Sequence, residues 1–282
     1  MTYTHTKNYE DASIASILAD VARAHRILEL EGHGDMSMGH LSFRDPFGRG
    51  LWLKRGNLAL SEVEGDDFIL IDFDGTVLEG TGLRHLEWPL HAEIMKARPD
   101  VNFVGHSHAH YSTVLGASEE NLKPYNNHGV WFAYEGVPRF AETSHIITTV
   151  PLGVAAAKAL GDAQAILLAN HGIAFVGSTV AEVTLTGIFL EKAARFQVDL
   201  KASGFVPIEP DAEETKEKFD RIYPAKAQHN FWTYFNRRLE RVEGAFGIGI
   251  SPIALPPGIS SAPTPATAPT PLIHITRERV PR

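Results

Sequence analysis

The sequence predicts a protein of the α/β class, in which helices pack on a mixed, largely antiparallel sheet. Hydrophobic residues make up 44% and charged residues 21% of the 282 residues, which is typical of a folded globular protein. Helical periodicity marks both ends of the chain, whereas short apolar segments separated by turn residues mark its middle. A chain of this length can also bury a sizeable core without disulfides or metals to hold it together.

The first expected element is an amphipathic helix over Asp11 to Glu31. Asp11 is the expected N-cap, and Gly32 is the expected end of the helix. The apolar residues that recur at helical spacing are Ile14, Ile17, Leu18, Val21, Ile27 and Leu28.

Two hairpins follow, and they make the sheet largely antiparallel. Their turns are expected at Asp45 to Gly50 and at Asp74-Gly75. The four short strands are Leu41 to Arg44, Leu51 to Lys54, Phe68 to Asp72 and Thr76 to Leu78.

Two buried strands end in histidines. A helix from Leu90 to Arg98, preceded by Pro89, leads into a strand over Val101 to Gly105. This strand runs into His106-Ser107-His108, and a second apolar strand over Ala165 to Ala169 runs into Asn170-His171-Gly172.

The rest of the chain reads as helices and then a tail. The expected helices are Pro151 to Leu160, Val180 to Ser203, Glu213 to Tyr223 and Ala225 to Glu243. Beyond Gly249 the composition shifts to Pro, Ala, Ser and Thr, which bury too little apolar surface to offset chain entropy. We therefore expect one domain over residues 1–249 and an extended or disordered tail over residues 250–282.

Charge and cysteine content exclude several classes of function. The chain has 26 Lys and Arg against 34 Asp and Glu, a net charge of -8, so nucleic acid is not an expected partner. There is no cysteine, which leaves His, Asp and Glu for metal binding or acid–base chemistry. Neither a signal peptide in Met1 to Glu10 nor a membrane-spanning segment is expected, so the expected location is cytoplasmic.

Histidines cluster in the middle of the chain. The window from His85 to His171 contains eight of the fourteen. Since residues i and i+2 of a strand face the same side, His106 and His108 can aim two imidazoles at one point, and His171 follows another strand. Three neutral imidazoles with an open position form a catalytic metal site. The alternative is that His106 or His108 is a hydrogen-bonded core histidine and His171 a loop residue.

Three other segments carry polar groups. Glu87 precedes the helix that feeds the histidine strand, where it is either a metal ligand or proton shuttle, or a first-turn carboxylate stabilised by the helix dipole. In Gly39 to Arg44, backbone amides, Ser42 and Arg44 could meet an anionic substrate. Lys54-Arg55-Gly56 is interpreted as a solvated charged surface.

The segments that carry these residues resemble the class II aldolase and adducin family over about Ala15 to Gly204. The matching segments, in chain order, are Gly39 to Pro46, Asp66 to Asp72, Glu87 to His91, Arg98 to Val101, His106 to His108 and Ala169 to Gly172. The resemblance implies that His106, His108 and His171 bind one divalent metal ion and that Glu87 is the acid–base carboxylate. It also implies a three-layer α/β/α fold and a tetramer with active sites at subunit boundaries.

One departure from the family pattern bears on the substrate. Sugar-phosphate aldolases of this family carry a serine pair directly before the glutamate, whereas this chain has His85-Leu86, preceded by Arg84. An arginine and histidines suit a planar carboxylate. The family also contains decarboxylases of hydroxylated aromatic, heteroaromatic and dienoic acids, and the sequence is more similar to these.

The sequence therefore predicts a metal-dependent decarboxylase of a small anionic carboxylic acid. Glu87, or His128 from a neighbouring subunit, would protonate the carbon. The residues expected to bind the substrate are Arg84, His85, Ser42 and His40. The metal could be zinc, manganese, cobalt or iron.

Two other functions remain open at this point. A retro-aldolase acting on a non-phosphorylated hydroxy-ketone or hydroxy-acid would use the same metal, because its enediolate has the same electronic demand. A non-catalytic, adducin-like scaffold would be expected to lack metal ligands, whereas Glu87 and the three histidines are present here.

Overall fold

The structure, a computed structural model, describes residues 13–249. The expected N-cap Asp11 and the expected tail at residues 250–282 lie outside the described residues. The compact unit that contains the whole sheet ends at Val242. None of the helices described has the length and apolar character needed to cross a membrane.

A single mixed sheet of eight strands forms the centre of the described chain. The strands are β1 His40–Arg44, β2 Leu51–Lys54, β3 Phe68–Ile71, β4 Val77–Glu79, β5 Phe103–Ser107, β6 Arg139–Phe140, β7 Ala165–Leu168 and β8 Gly172–Gly177. Their order across the sheet is β4-β3-β2-β1-β5-β8-β7-β6, and every neighbouring pair is antiparallel except β6 and β7. The prediction of a mixed, largely antiparallel sheet is confirmed.

Eight α-helices surround this sheet in the described residues. They are α1 Ile14–Leu28, α2 Trp88–Ala97, α3 His110–Gly116, α4 Asn127–Val130, α5 Val150–Leu160, α6 Val180–Ala202, α7 Ala212–Ile222 and α8 Ala225–Gly249. The sequence predicts α1, α2, α5, α6, α7 and α8 but misses the short helices α3 and α4.

The two faces of the sheet pack into two separate hydrophobic cores. Side chains alternate between the faces along each strand, so that Phe103 of β5 lies in one core and Val104 in the other. The core that contains Phe103 also takes Ile17 of α1 and Ile188 of α6, whereas α2 and α5 pack in the Val104 core. Helices thus cover both faces, which confirms the three-layer α/β/α fold.

Strand β8 brings the two histidine-bearing strand ends to one edge of the sheet. It lies between β5 and β7 and is antiparallel to both, so β5 and β7 run in the same direction. His108 follows the end of β5, and His171 follows the end of β7. The sequence analysis does not predict β8.

The first helix is shorter at both ends than the sequence predicts. Ser13 is the N-cap, and its side chain accepts a hydrogen bond from the Ser16 amide at 3.3 Å. A π-helical turn over Glu29–His33 then ends the helix, and within it Gly32 has a φ of 92°, a left-handed conformation that suits glycine.

Arg44 has a structural position that the sequence analysis does not foresee. Its guanidinium donates to the backbone carbonyls of Met95, Arg98 and Val101 at 2.6, 3.0 and 2.8 Å. These contacts satisfy carbonyl groups at and beyond the C-terminal end of α2. The expectation that Arg44 meets an anionic substrate is therefore wrong.

Helices α2 and α5 pack closely at Gly153. A Cβ atom on Gly153 would lie 2.6 Å from the carbonyl oxygen of Pro89 and 2.9 Å from Cγ of Glu93. Since Pro89 lies in the first turn of α2, this contact fixes the helix that Glu87 precedes.

Replacing Gly153 by alanine should therefore lower the free energy of unfolding by about 1–3 kcal/mol, because backbone must move to admit the methyl group. Urea denaturation followed by circular dichroism measures this. Gly65→Ala is the matched control, because its Cβ would meet nothing closer than 3.6 Å. Equal unfolding midpoints for the two variants would contradict the close packing.

Candidate metal centre

The imidazoles of His106, His108 and His171 converge at the edge of the sheet. His106 lies within β5 and pairs with Ala174 of β8, and Nε2 of His106 is 3.2 Å from Nε2 of His108. One ligand atom from each of the three histidines lies within 4.8 Å of the others. The structure therefore brings together the three residues that the sequence analysis expects to bind a metal.

The turn between β7 and β8 places the third histidine. Only Ala169, Asn170 and His171 connect the two strands. Asn170 has a φ of 56°, a left-handed conformation that asparagine tolerates better than most residues. This tight turn holds His171 next to the end of β5.

Hydrogen bonds fix the tautomers of His106 and His108. Nδ1 of His106 lies 2.9 Å from the carbonyl oxygen of Ile173, which can only accept, so this nitrogen carries the proton. Nδ1 of His108 lies 2.9 Å from a carboxylate oxygen of Asp35, which accepts in the same way. In its neutral form each of these histidines therefore presents an unprotonated Nε2 to the centre of the cluster.

This arrangement fits a divalent cation. Two unprotonated Nε2 atoms at 3.2 Å repel each other unless a positive charge lies between them. Nε2 of His171 is buried and has no hydrogen-bond partner in residues 13–249. Burial and the neighbouring His106 lower the pKa of His171 to about 4, so its imidazole is neutral near pH 7. Neutral imidazole is the form that binds metal ions.

Glu87 lies against this cluster. Its Oε2 is 3.3 Å from Nε2 of His106, its Oε1 is 3.5 Å from Nε2 of His171, and Oε1 accepts a hydrogen bond from the Ile147 amide at 2.8 Å. Glu87 precedes α2 at the N-cap position, but its side chain caps no amide of that helix. The carboxylate of Glu87 therefore contacts the histidine cluster and does not cap the helix.

The carboxyl group of Glu87 is ionised in this environment. Burial by itself raises the pKa of Glu87, but the imidazoles of His106 and His171 and the Ile147 amide lower it by more. The net pKa lies below the usual range of a glutamate, so the group is a carboxylate at neutral pH.

Two more histidines lie beside the cluster. The ring centroid of His40 is 5.2 Å from that of His106 and 4.2 Å from that of His85. A ring nitrogen of His40 also lies within 4.8 Å of ligand atoms of Glu87 and His106. Burial lowers the pKa of His85 to about 4, so this imidazole is neutral as well. The structure thus places two of the residues expected to bind substrate next to the candidate metal ligands.

Ser42 and His91 lie behind His40. Nδ1 of His40 is 2.7 Å from Nε2 of His91, and Nδ1 of His91 is 2.7 Å from the Ser42 hydroxyl. Ser42 is fully buried. Its expected contact with a substrate stays a prediction.

Arg84 and His128 lie apart from these residues in the described contacts. The guanidinium of Arg84 lies over the ring of Trp88 and donates to the carbonyl of Gly75. His128, in α4, packs its ring 5.2 Å from that of Phe189. The substrate-binding role of Arg84 and the role of His128 in a neighbouring subunit stay predictions.

The sequence analysis misses Asp35 as a site residue, although it orients His108. Asp35 is 73 residues away from His108 along the chain, and no spacing pattern connects the two. The sequence places His91 four residues after Glu87, on one face of the expected helix, but this spacing alone assigns His91 no role in the site.

Comparisons with known proteins agree with this geometry. The family model described as "Class II Aldolase and Adducin N-terminal domain" matches residues 19–198, which is more than half of the chain. A meiotically up-regulated gene 14 protein of Schizosaccharomyces pombe is 28% identical over 193 residues, 64% of this chain and 72% of the relative. A 3,4-dihydroxyphthalate decarboxylase of Rhodococcus jostii is 29% identical over 204 residues, 68% of this chain and 83% of the enzyme.

A solved structure extends the likeness to the fold. The L-fuculose 1-phosphate aldolase of Glaciozyma antarctica superposes with a TM-score of 0.73 at 26% identity, covering 83% of this chain and 94% of the aldolase. The family includes aldolases and decarboxylases that act on small molecules, and its class II aldolases use a divalent metal ion. With the matched segment, the shared fold and the histidine cluster in agreement, this chain belongs to the class II aldolase and adducin family.

Proposed function

We propose that this protein is a divalent-metal-dependent carbon–carbon lyase that decarboxylates a hydroxylated aromatic, heteroaromatic or dienoic carboxylic acid. The observation that carries the proposal is the convergence of three imidazoles beside the carboxylate of Glu87. A carboxylate next to a Lewis-acid site can transfer protons to and from a carbon that bears negative charge.

His106, His108 and His171 would hold the metal, one ion per subunit. Imidazole ligands suit zinc, manganese, cobalt and iron. When bound, the ion supplies a Lewis acid that stabilises negative charge on a substrate oxygen as carbon dioxide leaves. Asp35 and the Ile173 carbonyl keep His108 and His106 in the tautomers that this role requires.

Glu87 would transfer the proton that replaces carbon dioxide on the substrate carbon. The Ile147 amide holds Oε1, which leaves Oε2, on the His106 side, to take the proton of a substrate hydroxyl and deliver it to the carbon that carbon dioxide leaves. His128 from a neighbouring subunit is the alternative acid, and it requires the homo-oligomer, a tetramer or larger, that we include in the proposal. The cytoplasmic location expected from the sequence is part of the same proposal.

His85 offers a ring nitrogen to the proposed substrate, a hydroxylated carboxylic acid. Its Nε2 is buried without a hydrogen-bond partner in the described part of the chain, so it is available to a bound ligand. His85-Leu86, preceded by Arg84, stands where the sugar-phosphate aldolases have a serine pair. The similarity to a 3,4-dihydroxyphthalate decarboxylase favours the same substrate class.

A second candidate function is retro-aldol cleavage of a non-phosphorylated hydroxy-ketone or hydroxy-acid. The superposition on an L-fuculose 1-phosphate aldolase at 26% identity favours it. The same ligands and the same carboxylate would serve, because the enediolate of that reaction also places negative charge on an oxygen.

Metal binding can be tested first. His108→Ala should abolish stoichiometric zinc binding, and Asp35→Asn should weaken zinc affinity about 10- to 100-fold, since the carboxylate orients a ligand. Competition with a chromogenic chelator measures both affinities. His145→Ala is the matched control, because His145 is exposed and lies in neither group of candidate metal ligands. Equal zinc affinity in the His108 and His145 variants would overturn the proposed ligand set.

The reaction can be tested by its products. Zinc- or manganese-loaded protein incubated with 3,4-dihydroxyphthalate should release carbon dioxide, and Glu87→Gln should slow the release about 100-fold or more. Glu93→Gln is the matched control, because Glu93 is a buried glutamate of α2 that pairs with Lys96 instead. An aldehyde product from L-fuculose, without carbon dioxide release from the aromatic acids, would instead support the second candidate.

A further inference from the structure

A chain of hydrogen-bonding groups leads from the sheet backbone to the candidate metal centre. It starts at the carbonyl oxygen of Val104, which is 3.5 Å from the Ser42 hydroxyl. The hydroxyl is 2.7 Å from Nδ1 of His91, and Nε2 of His91 is 2.7 Å from Nδ1 of His40. Ser42 and His91 belong to neither group of candidate metal ligands, and His40 belongs to the second group, with Glu87 and His106.

These side chains are removed from water. His91 and Ser42 are fully buried, and His40 is 3% exposed. Burial disfavours the charged form of an imidazole, and a neutral imidazole has one N–H donor and one acceptor nitrogen.

The carbonyl end gives the chain a direction. Because a carbonyl oxygen can only accept, the Ser42 hydroxyl donates to Val104, and Nδ1–H of His91 donates to Ser42. The remaining nitrogen of His91, Nε2, must then accept from Nδ1–H of His40. This leaves Nε2 of His40 without a proton.

The unprotonated nitrogen lies on the Glu87 side of the site. His40 pairs with His106 across β1 and β5, and one of its ring nitrogens lies within 4.8 Å of Glu87 and His106 ligand atoms. Because Nδ1 is engaged by His91, Nε2 is the nitrogen that remains for a ligand. At this position Glu87 and His40 both offer acceptors, so a ligand group placed here has to bring its own hydrogen.

We infer that His40 binds a hydroxyl group of the substrate as a hydrogen-bond acceptor, and that His91 and Ser42 are positioning residues that hold it in the required tautomer. The inference rests on the proposed function and names the substrate class more closely: the hydroxyl donates to Nε2 of His40 beside the metal. An ortho-dihydroxylated ring satisfies both needs, since one oxygen reaches the metal and the neighbouring hydroxyl reaches His40.

The test uses 4-nitrocatechol as the probe and full-length, zinc-loaded protein. Its affinity, followed by absorbance, should fall roughly five- to tenfold in His91→Leu, because one hydrogen bond to the probe is lost. His91→Gln should restore affinity to within about twofold, because its amide can accept from His40 and donate to Ser42. Ser42→Ala should also weaken binding of the probe. It is the test variant to use if His91→Leu does not fold.

Two controls separate this role from a general loss of structure. Thr184→Val also removes a buried hydroxyl, which bonds only within α6, and should leave probe affinity unchanged. The mono-methyl ether of the probe, which lacks the donating hydroxyl, should bind the native protein and His91→Leu equally.

The outcomes are distinguishable. Equal affinity of the native protein and His91→Leu for 4-nitrocatechol, with zinc retained in both, would overturn the acceptor role and leave the proposed function standing. Loss of zinc from His91→Leu would show that the hydrogen-bonded groups Ser42, His91 and His40 serve metal binding, and it would overturn the inference. No binding of the probe to the zinc-loaded native protein would overturn the inference, whereas the proposed function is decided by the release of carbon dioxide.

Discussion

The hydrogen bond between Nδ1 of His106 and the carbonyl of Ile173 connects the candidate site to the sheet. Ile173 lies on β8, so the orientation of this imidazole depends on correct pairing of β5 with β8. A shift of one residue would turn His106 to the opposite face of the sheet. The contacts of His106 with His108 and with Glu87 require that register.

The site is assembled from groups that are unfavourable together without a bound cation. Burying three imidazoles and a carboxylate costs solvation free energy, and two acceptor nitrogens face each other at close range. The surrounding cores compensate for this cost, because both faces of the sheet are covered by helices. A ligand that binds only the folded state recovers part of it, so the folded protein should gain stability when a cation binds.

Much of the fold was predictable because local signals agree with the final structure. Hairpin turns, helical periodicity and the proline before α2 each indicate the element that forms, and the i, i+2 spacing correctly places His106 and His108 together. Strand β8 was not predicted because Gly172–Gly177 is buried on both faces and shows no alternation of apolar and polar residues. Lys54 was interpreted as solvated, but it is fully buried and donates to the carbonyls of Ser37 and Leu58. Its partners are set by tertiary packing, as is the pairing of Asp35 with His108, and neither follows from nearby sequence.

Gly172, the first residue of β8, leaves almost no room at the centre of this arrangement. A Cβ atom there would lie 2.5 Å from the carbonyl oxygen of Ser107 and 2.7 Å from Cδ2 of His108. Any side chain at this position would have to displace either the β5 backbone or the His108 ring. Gly172 has no functional group, yet it should accept few substitutions. A screen for inactive variants would therefore find Gly172 as well as the ligands themselves.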